Sequence, residues 1–312
     1  MGRLILQRVF QLAFVLFSIT FLTFLVSYLA PGDPIRQLMG GRQDPVRYEF
    51  LRHLYGLDKA WYEQYLSYVS DLLRGNLGYS FKYAERPVWD LIAQGVPVSV
   101  QLGSLALTLS LLLGVPAGVY AALKQNSWRD TATMALSLAL FSIPSFVLIP
   151  ILWAADLALY NSRLPHLPVA GWGKPENLVL PVLVLAAGNI GFIARLTRGS
   201  MLEVLRQDFV RTARAKGLKS ETVLWRHVFR NAVLPLLTVL GPATAFLVTG
   251  AFVVENLFSI PGIGYLTIQS IGQRDYPVIQ ATTIMLALAV VIMNTITDLA
   301  YIFVDPRIRA EH

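Results

Sequence analysis

Residues 208–235 read DFVRTARAKGLKSETVLWRHVFRNAVLP and lie within a basic region that carries nine Lys or Arg residues between Arg195 and Arg230. Such charge could hold nucleotide phosphate, nucleic acid, anionic lipid headgroups or an acidic protein. Direct phosphate chemistry would need a G-x-x-x-x-G-K-[ST] loop; the nearest glycine-rich string, GWGKP at Gly171–Pro175, has no following Ser or Thr. Nucleic-acid binding would place the charge on a solvated domain without long uncharged runs, and this chain is dominated by such runs, so no nucleic acid is expected. Catalysis fares no better. His53, His166, His227 and His312 are scattered and there is no cysteine, which excludes disulfides and thiolate metal sites. Neither a catalytic group, a metal site nor a bound cofactor is expected on this chain.

The elements that must position the basic stretch follow from composition. Of 312 residues, 55% are hydrophobic and 14% charged, too apolar for an ordinary soluble chain of this length. A spanning helix needs about 20 apolar residues to cross roughly 30 Å of hydrocarbon, and six segments qualify: Val9–Ala30, Pro97–Leu123, Thr131–Tyr160 with Pro144 and Pro150 inside it, a short Leu178–Ala194, Leu234–Val254 and Val278–Val304. Each proline removes a backbone donor and is expected to break or kink the third segment. The first segment is longer than a signal-peptide core and reads as an uncleaved anchor. The expectation is an all-α membrane protein of about six transmembrane helices.

Six crossings put both termini and alternate loops on one side. That side collects Arg3, Arg8, Lys124, Arg129, the nine residues from Arg195 to Arg230, Arg307 and Arg309, fifteen bases against six acids. The other side holds eleven bases and twelve acids, and eight of its bases fall in the one long loop from Pro31 to Val96, where the positive-inside rule loses force. Both termini and the basic stretch are therefore cytoplasmic. The division expected along the chain is an N-terminal transmembrane helix (1–30), an external loop with an amphipathic helix (31–96), a five-helix core (97–304) with a cytoplasmic loop at about 195–233, and a tail (305–312).

In the external loop Trp61, Tyr62, Tyr65, Leu66, Tyr68, Val69, Leu72 and Leu73 recur at helical spacing, and Gly75 and Gly78 are the stops. This reads as a helix lying on the membrane surface, and also as a docking surface for an external partner. In the basic stretch Asp208 suits a helix start, Gly217 suits the left-handed position after a helix end, and Ser220 can cap a second helix. Phe209, Ala213 and Gly217 form a stripe of one large and two small groups open to close approach, while Arg211 and Arg214 lie one turn apart with Lys216 in the last turn. Val223, Leu224, Val228 and Phe229 make the apolar face of the second helix. Charge alone would fit a loop resting on anionic headgroups, but charge does not account for the two small residues.

RTARAKG at Arg211–Gly217, followed by AVLP at Ala232–Pro235, resembles the cytoplasmic EAA-type motif of the inner-membrane permease subunits of ATP-binding-cassette importers. Ala213 and Gly217 fall on the motif's second alanine and its glycine. Arg211 and Thr212 replace its glutamate and first alanine, and Leu234 lies 17 residues after Gly217; both departures resemble the branch for dipeptides, oligopeptides and nickel. LAPGDP (Leu29–Pro34), GLDKAWYEQYLSYVSDLLRGNLGYSF (Gly56–Phe81), FSIPSFV (Phe141–Val147), LPVAGW (Leu167–Trp172), ENLFSIPGIGYL (Glu255–Leu266), RDYPVIQ (Arg274–Gln280) and DPRIR (Asp305–Arg309) resemble family segments in family order, over nearly the whole chain.

That resemblance implies a type I importer permease (MetI-like) architecture and a division of labour. The EAA-type loop would form a coupling helix seated on a separate ATPase subunit, with Arg211, Thr212, Ala213, Arg214, Lys216 and Gly217 at the contact. ATP and magnesium would sit on two such ATPase subunits, with a second homologous permease beside this chain, an extracytoplasmic substrate-binding protein delivering cargo, and membrane lipid around it. The implied cargo is a dipeptide or oligopeptide; nickel, glutathione and oligosaccharide are carried by relatives. An ion-coupled secondary transporter is the rival class, but it calls for internal repeats and mid-membrane ion ligands, which the sequence lacks. Candidates for the translocation path are Asn189, Asn294 and Asp298. Asp298 is the one carboxylate well inside an expected span, where an acid costs about 2.5–3.5 kcal/mol, so it must face protein or water; a structural hydrogen bond is its plainer use.

Overall fold

A computed structural model describes residues 2–33, 35, 36, 39, 44–83, 86–236 and 251–304. Apart from one isolated antiparallel bridge between Tyr79 and Pro87, the regular structure among the described residues is helical. The helices are α1 (Gly2–Leu29), α2 (Pro45–Leu54), α3 (Trp61–Leu73), α4 (Val88–Leu123), α5 (Trp128–Ser142), α6 (Ser145–Asn161), α7 (Glu176–Leu205) and α8 (Asp208–Ala215). A continuous rod α9 follows, helical over Ser220–Thr222, π-helical over Val223–Phe229 and α-helical again over Arg230–Ala232; α10 (Ile263–Gln273) and α11 (Tyr276–Val304) complete the set.

Four helices are long and apolar enough to cross a membrane, namely α1, α4, α7 and α11, and a fifth span results if α5 and α6 are taken together. The expected span Leu234–Val254 falls mostly at 237–250, outside the described residues. Pro144 breaks the third expected span: Ile143 is extended (φ −82°, ψ 116°) as the residue before a proline prefers, and α5 and α6 meet at 106°. Pro150 does not end a helix. It lies inside α6, which continues past it to Asn161.

The sequence placed the fourth span over 178–194, but α7 runs for 30 residues. That is about 45 Å at 1.5 Å per residue, more than the hydrocarbon needs. Its last turns, residues 195–205, therefore carry the helix out into the region first taken as loop. Buried Leu180, Val184, Leu185, Ile193, Met201 and Val204 run its whole length, and this packing holds the polar end helical.

By internal packing the chain forms two compact units, residues 1–98 with 261–291, and residues 99–260 with 292–312. In the first, Val88, Leu91 and Ile92 at the start of α4 make a core with Ile263, Val278 and Ala281. The amphipathic helix α3 does more than rest on a surface: Tyr65 sits with its ring 5.3–5.5 Å from those of Phe21 and Phe24 of α1, and Tyr68 stacks near Phe24. Gly75 and Gly78 follow it with φ of +76° each, the left-handed stops expected. Asp275 is buried and accepts hydrogen bonds from Ser80 Oγ and from the backbone N–H groups of Phe81 and Lys82.

In the second unit α5 and α7 pack with almost no space between them. A Cβ on Gly191 would fall 2.1 Å from the Ser137 carbonyl oxygen. On the α4 side, a Cβ on Gly118 would fall 2.5 Å from the Ala194 carbonyl oxygen. Glycine at both positions lets the backbones of α4 and α5 close on α7.

Candidate functional site

The basic stretch folds as the helix, turn, helix that its punctuation indicates. Gln207 is the N-cap and Asp208 the first helical residue, so the helix starts one position earlier than the sequence suggested, with the Asp208 carboxylate at the positive end of the helix dipole. The far end is a Schellman stop: Gly217 has φ +75°, its N–H donates to the Arg214 carbonyl at 2.9 Å, and the Leu218 N–H donates to Ala213 at 3.4 Å. Lys219, not Ser220, is the N-cap of α9.

Two side chains fasten α8 to the rest of the unit. Val210 and Ala213 are buried in a core with Val119 and Ala122 of α4, Met201 and Val204 of α7, and Val223, Val228 and Ala232 of α9. Leu224 and Phe229 pack against that core, so the apolar face expected for the second helix is the one used. This corrects one part of the sequence reading. Ala213 faces inward and its smallness serves the chain's own packing, so the stripe of Phe209, Ala213 and Gly217 is not a continuous outward surface.

What α8 presents outward is Arg211, Thr212, Arg214, Lys216 and Gly217, all exposed. Arg211 pairs only loosely with Asp208, at 3.6 Å between two well-exposed side chains, a contact worth little in water. Arg214 and Lys216 have no ion-pair partner among the described residues. Nothing lies within 4 Å of where a Gly217 Cβ would stand. The result is a short rigid basic knob held from behind by two small apolar residues and open in front.

The path candidates are placed differently. Asn189 is buried and its Nδ2 donates to the Leu185 carbonyl one turn earlier at 3.4 Å. It sits about 24 Å along α7 from Leu205 at 1.5 Å per residue, remote from the knob. Asn294 is half-buried on α11, and the Asp298 side chain lies outside the described residues.

Asp275 apart, the sequence reading also missed three buried acids, Asp130, Glu255 and Asp156, the last of which accepts the Leu167 N–H at 2.7 Å. Asp130, at the start of α5, is 5% exposed and forms a two-pronged ion pair with Arg198 of α7, Nε and Nη2 each 2.6 Å from a carboxylate oxygen. It also accepts the Asn126 N–H at 3.1 Å, where Asn126 is left-handed. The available signal was the capping pattern of Ser127 and Asp130, which the structure uses; the partner on another helix had none. Glu255 is fully buried and accepts a hydrogen bond from Ser99 Oγ at 2.6 Å.

Comparison with known proteins bears on the fold and the family. A crystal structure of an amino acid ABC transporter with histidines superposes with a TM-score of 0.52 at 16% identity, covering 68% of this chain and 93% of that one, which supports the fold. The dipeptide transport system permease protein DppB of Bacillus subtilis (strain 168) is 39% identical over 99% of this chain and 98% of its own length. The oligopeptide transport system permease protein OppB of Haemophilus influenzae is 37% identical over 99% of this chain and 100% of its own. Residues 1–103 match the N-terminal component of binding-protein-dependent transport system membrane proteins, and residues 114–310 match the inner membrane component itself. This all-helical, multi-span chain thus belongs to the family of inner membrane components of binding-protein-dependent transport systems.

Proposed function

We propose that this chain is the non-catalytic permease subunit of an ATP-driven importer of dipeptides or oligopeptides, and that α8 is its coupling helix. The observation that carries the reading is the knob itself: a helix fixed to α4, α7 and α9 by Val210 and Ala213 while Arg211, Thr212, Arg214, Lys216 and Gly217 stand free. A rigid, positively charged projection on the cytoplasmic side suits a complementary groove with acidic groups, where charge sets orientation and approach. Because α8 and the end of α7 share one core, a push on α8 moves α7, and with it α5 through the Gly191 contact and the Asp130–Arg198 pair. ATP and magnesium then belong to two separate ATPase subunits, and a second, homologous permease completes the path. The dipeptide and oligopeptide permeases among the relatives support peptide as cargo, delivered by an external binding protein.

Reversing charge at Arg211, Arg214 and Lys216 together (to Glu) tests the assignment. Membrane insertion should be unchanged, while co-purification of the ATPase subunits is lost and peptide uptake falls at least tenfold. Uptake at the wild-type rate would remove α8 as the coupling contact.

A further inference from the structure

Charge runs locate one boundary of the membrane on the second compact unit. No charged residue lies between Asp90 and Lys124 along α4, nor between Asp130 and Asp156 along α5 and α6. The turn at 124–127 that joins α4 to α5 therefore stands where hydrocarbon ends. Trp128, 75% exposed, follows that turn, with the Arg129 guanidinium 5.7 Å from its ring centre, an aromatic at headgroup depth beside a cation. The helix α9 lies at the same level. Its inner residues Val223, Val228 and Ala232 share a core with Val119 and Ala122, which fall in the last turn or so of α4 before its end at Leu123. That is a rise of about 6 Å at 1.5 Å per residue, about the thickness of one headgroup layer.

The outer residues of α9 belong neither to that core nor to the basic knob of α8. Trp225 is 56% exposed, and its ring meets that of Phe229 edge-on at 5.2 Å; Phe229 itself packs against the core and so fixes the indole. Arg226 and Arg230 are both exposed. Residues 223–229 are π-helical, and hydrogen bonding from i to i+5 widens the turn beyond that of an α-helix, so positions four apart come nearly into line. Trp225 and Phe229 form one row, and Arg226 with Arg230 forms the row beside it. Neither arginine has an ion-pair partner among the described residues, and the exposed acids on the neighbouring segments, Glu203 and Glu221, pair with neither.

We infer that the outer face of α9 seats an anionic phospholipid, with its phosphate at Arg226 and Arg230 and the Trp225 indole beside it at headgroup depth. Two guanidinium groups one turn apart each offer paired N–H donors to phosphate oxygens. A zwitterionic headgroup brings its own cation and loses most of that attraction, so the seat selects net negative charge. An acidic protein groove would also take two arginines, but the level of α9 against the end of α4 and the exposed indole beside the arginines favour the membrane. Because α9 shares its core with Val210 and Ala213, a lipid held there braces α8 from behind. The basic region thus divides by helix: the cations of α8 stand on a projection, and those of α9 lie along the bilayer surface.

The test is native mass spectrometry of the full chain purified in neutral detergent, titrated with phosphatidylglycerol and with phosphatidylcholine of the same acyl chains. At about fivefold for each cation near a charged lipid surface, the first phosphatidylglycerol should bind about 25-fold more tightly than the first phosphatidylcholine. Arg226→Gln with Arg230→Gln should weaken phosphatidylglycerol about 25-fold and leave phosphatidylcholine unchanged, which erases the preference. Arg211→Gln with Arg214→Gln removes the same charge from α8 and should leave the preference intact. Equal affinity of the wild-type chain for the two lipids overturns the inference, as does a preference that survives the α9 substitutions. An equal fall in the α8 variant also overturns it, because the lipid would then be reading net charge and not this face. If the α9 variant keeps its lipid preference but no longer co-purifies with ATPase subunits, the face belongs to a protein partner and the lipid seat is refuted.

Discussion

The Asp130–Arg198 pair gives the sharpest quantitative expectation. Arg198→Ala leaves a carboxylate only 5% exposed whose remaining support is the Asn126 N–H; an uncompensated buried charge of this kind costs about 3–5 kcal/mol. Asp130→Ala acts on the other partner, a guanidinium 27% exposed on a long stem that can swing to water or headgroups. Its cost is chiefly the orphaned Asn126 N–H and the lost hydrogen bonds, about 1–3 kcal/mol. The double variant removes both charges, so its loss should resemble that of Asp130→Ala alone, and the coupling between the sites should be about 3–5 kcal/mol. In thermal unfolding of the detergent-purified chain, at about 2 °C per kcal/mol for a chain of this size, Arg198→Ala should lower the Tm by about 6–10 °C and the other two by about 2–6 °C. Additive losses, or a larger loss for Asp130→Ala, would refute the argument that burial of the acid decides the energetics.

Gly191→Ala, whose Cβ would fall 2.1 Å from the Ser137 carbonyl oxygen, should cost about 1–3 kcal/mol by forcing α5 from α7. Gly199→Ala, on the same helix with nothing within 4 Å, should instead gain about 0.5–1 kcal/mol; paired thermal melts read both signs. Gly217→Ala should cost about 1 kcal/mol for its left-handed backbone and retain the ATPase subunits in pull-downs, whereas Gly217→Arg carries the same strain and should lose them. The Tyr68 phenol, raised in the folded chain by burial, contributes stability that is complete below the ordinary phenol value of about 10 and declines as pH rises past it; Tyr68→Phe should flatten alkaline unfolding followed by circular dichroism.

Much of the local structure was legible. Gly217, Gly75 and Gly78 mark the three stops where positive φ is needed, and Pro144 with Ile143 before it marks the 106° bend. The apolar spacing of Val223 and Val228 indicates the face that α9 buries. These signals are local, a matter of one residue's backbone or one helix's period. The reading went astray where distant segments decide. Pro150 looks identical to Pro144 in a string of letters, yet it is housed within α6. Ala213 looked like a small residue kept for a partner, yet α4, α7 and α9 close over it.

The sequence alone determined that the chain lives in a membrane and that a basic helix, turn and helix follow one of its apolar spans, because hydropathy and backbone preference are sums over neighbours. Only the tertiary structure decided which faces are free: that Arg214 and Lys216 project while Ala213 is spent on packing, and that Asp130 finds Arg198 68 positions along the chain. Burial and pairing depend on what the fold brings from afar.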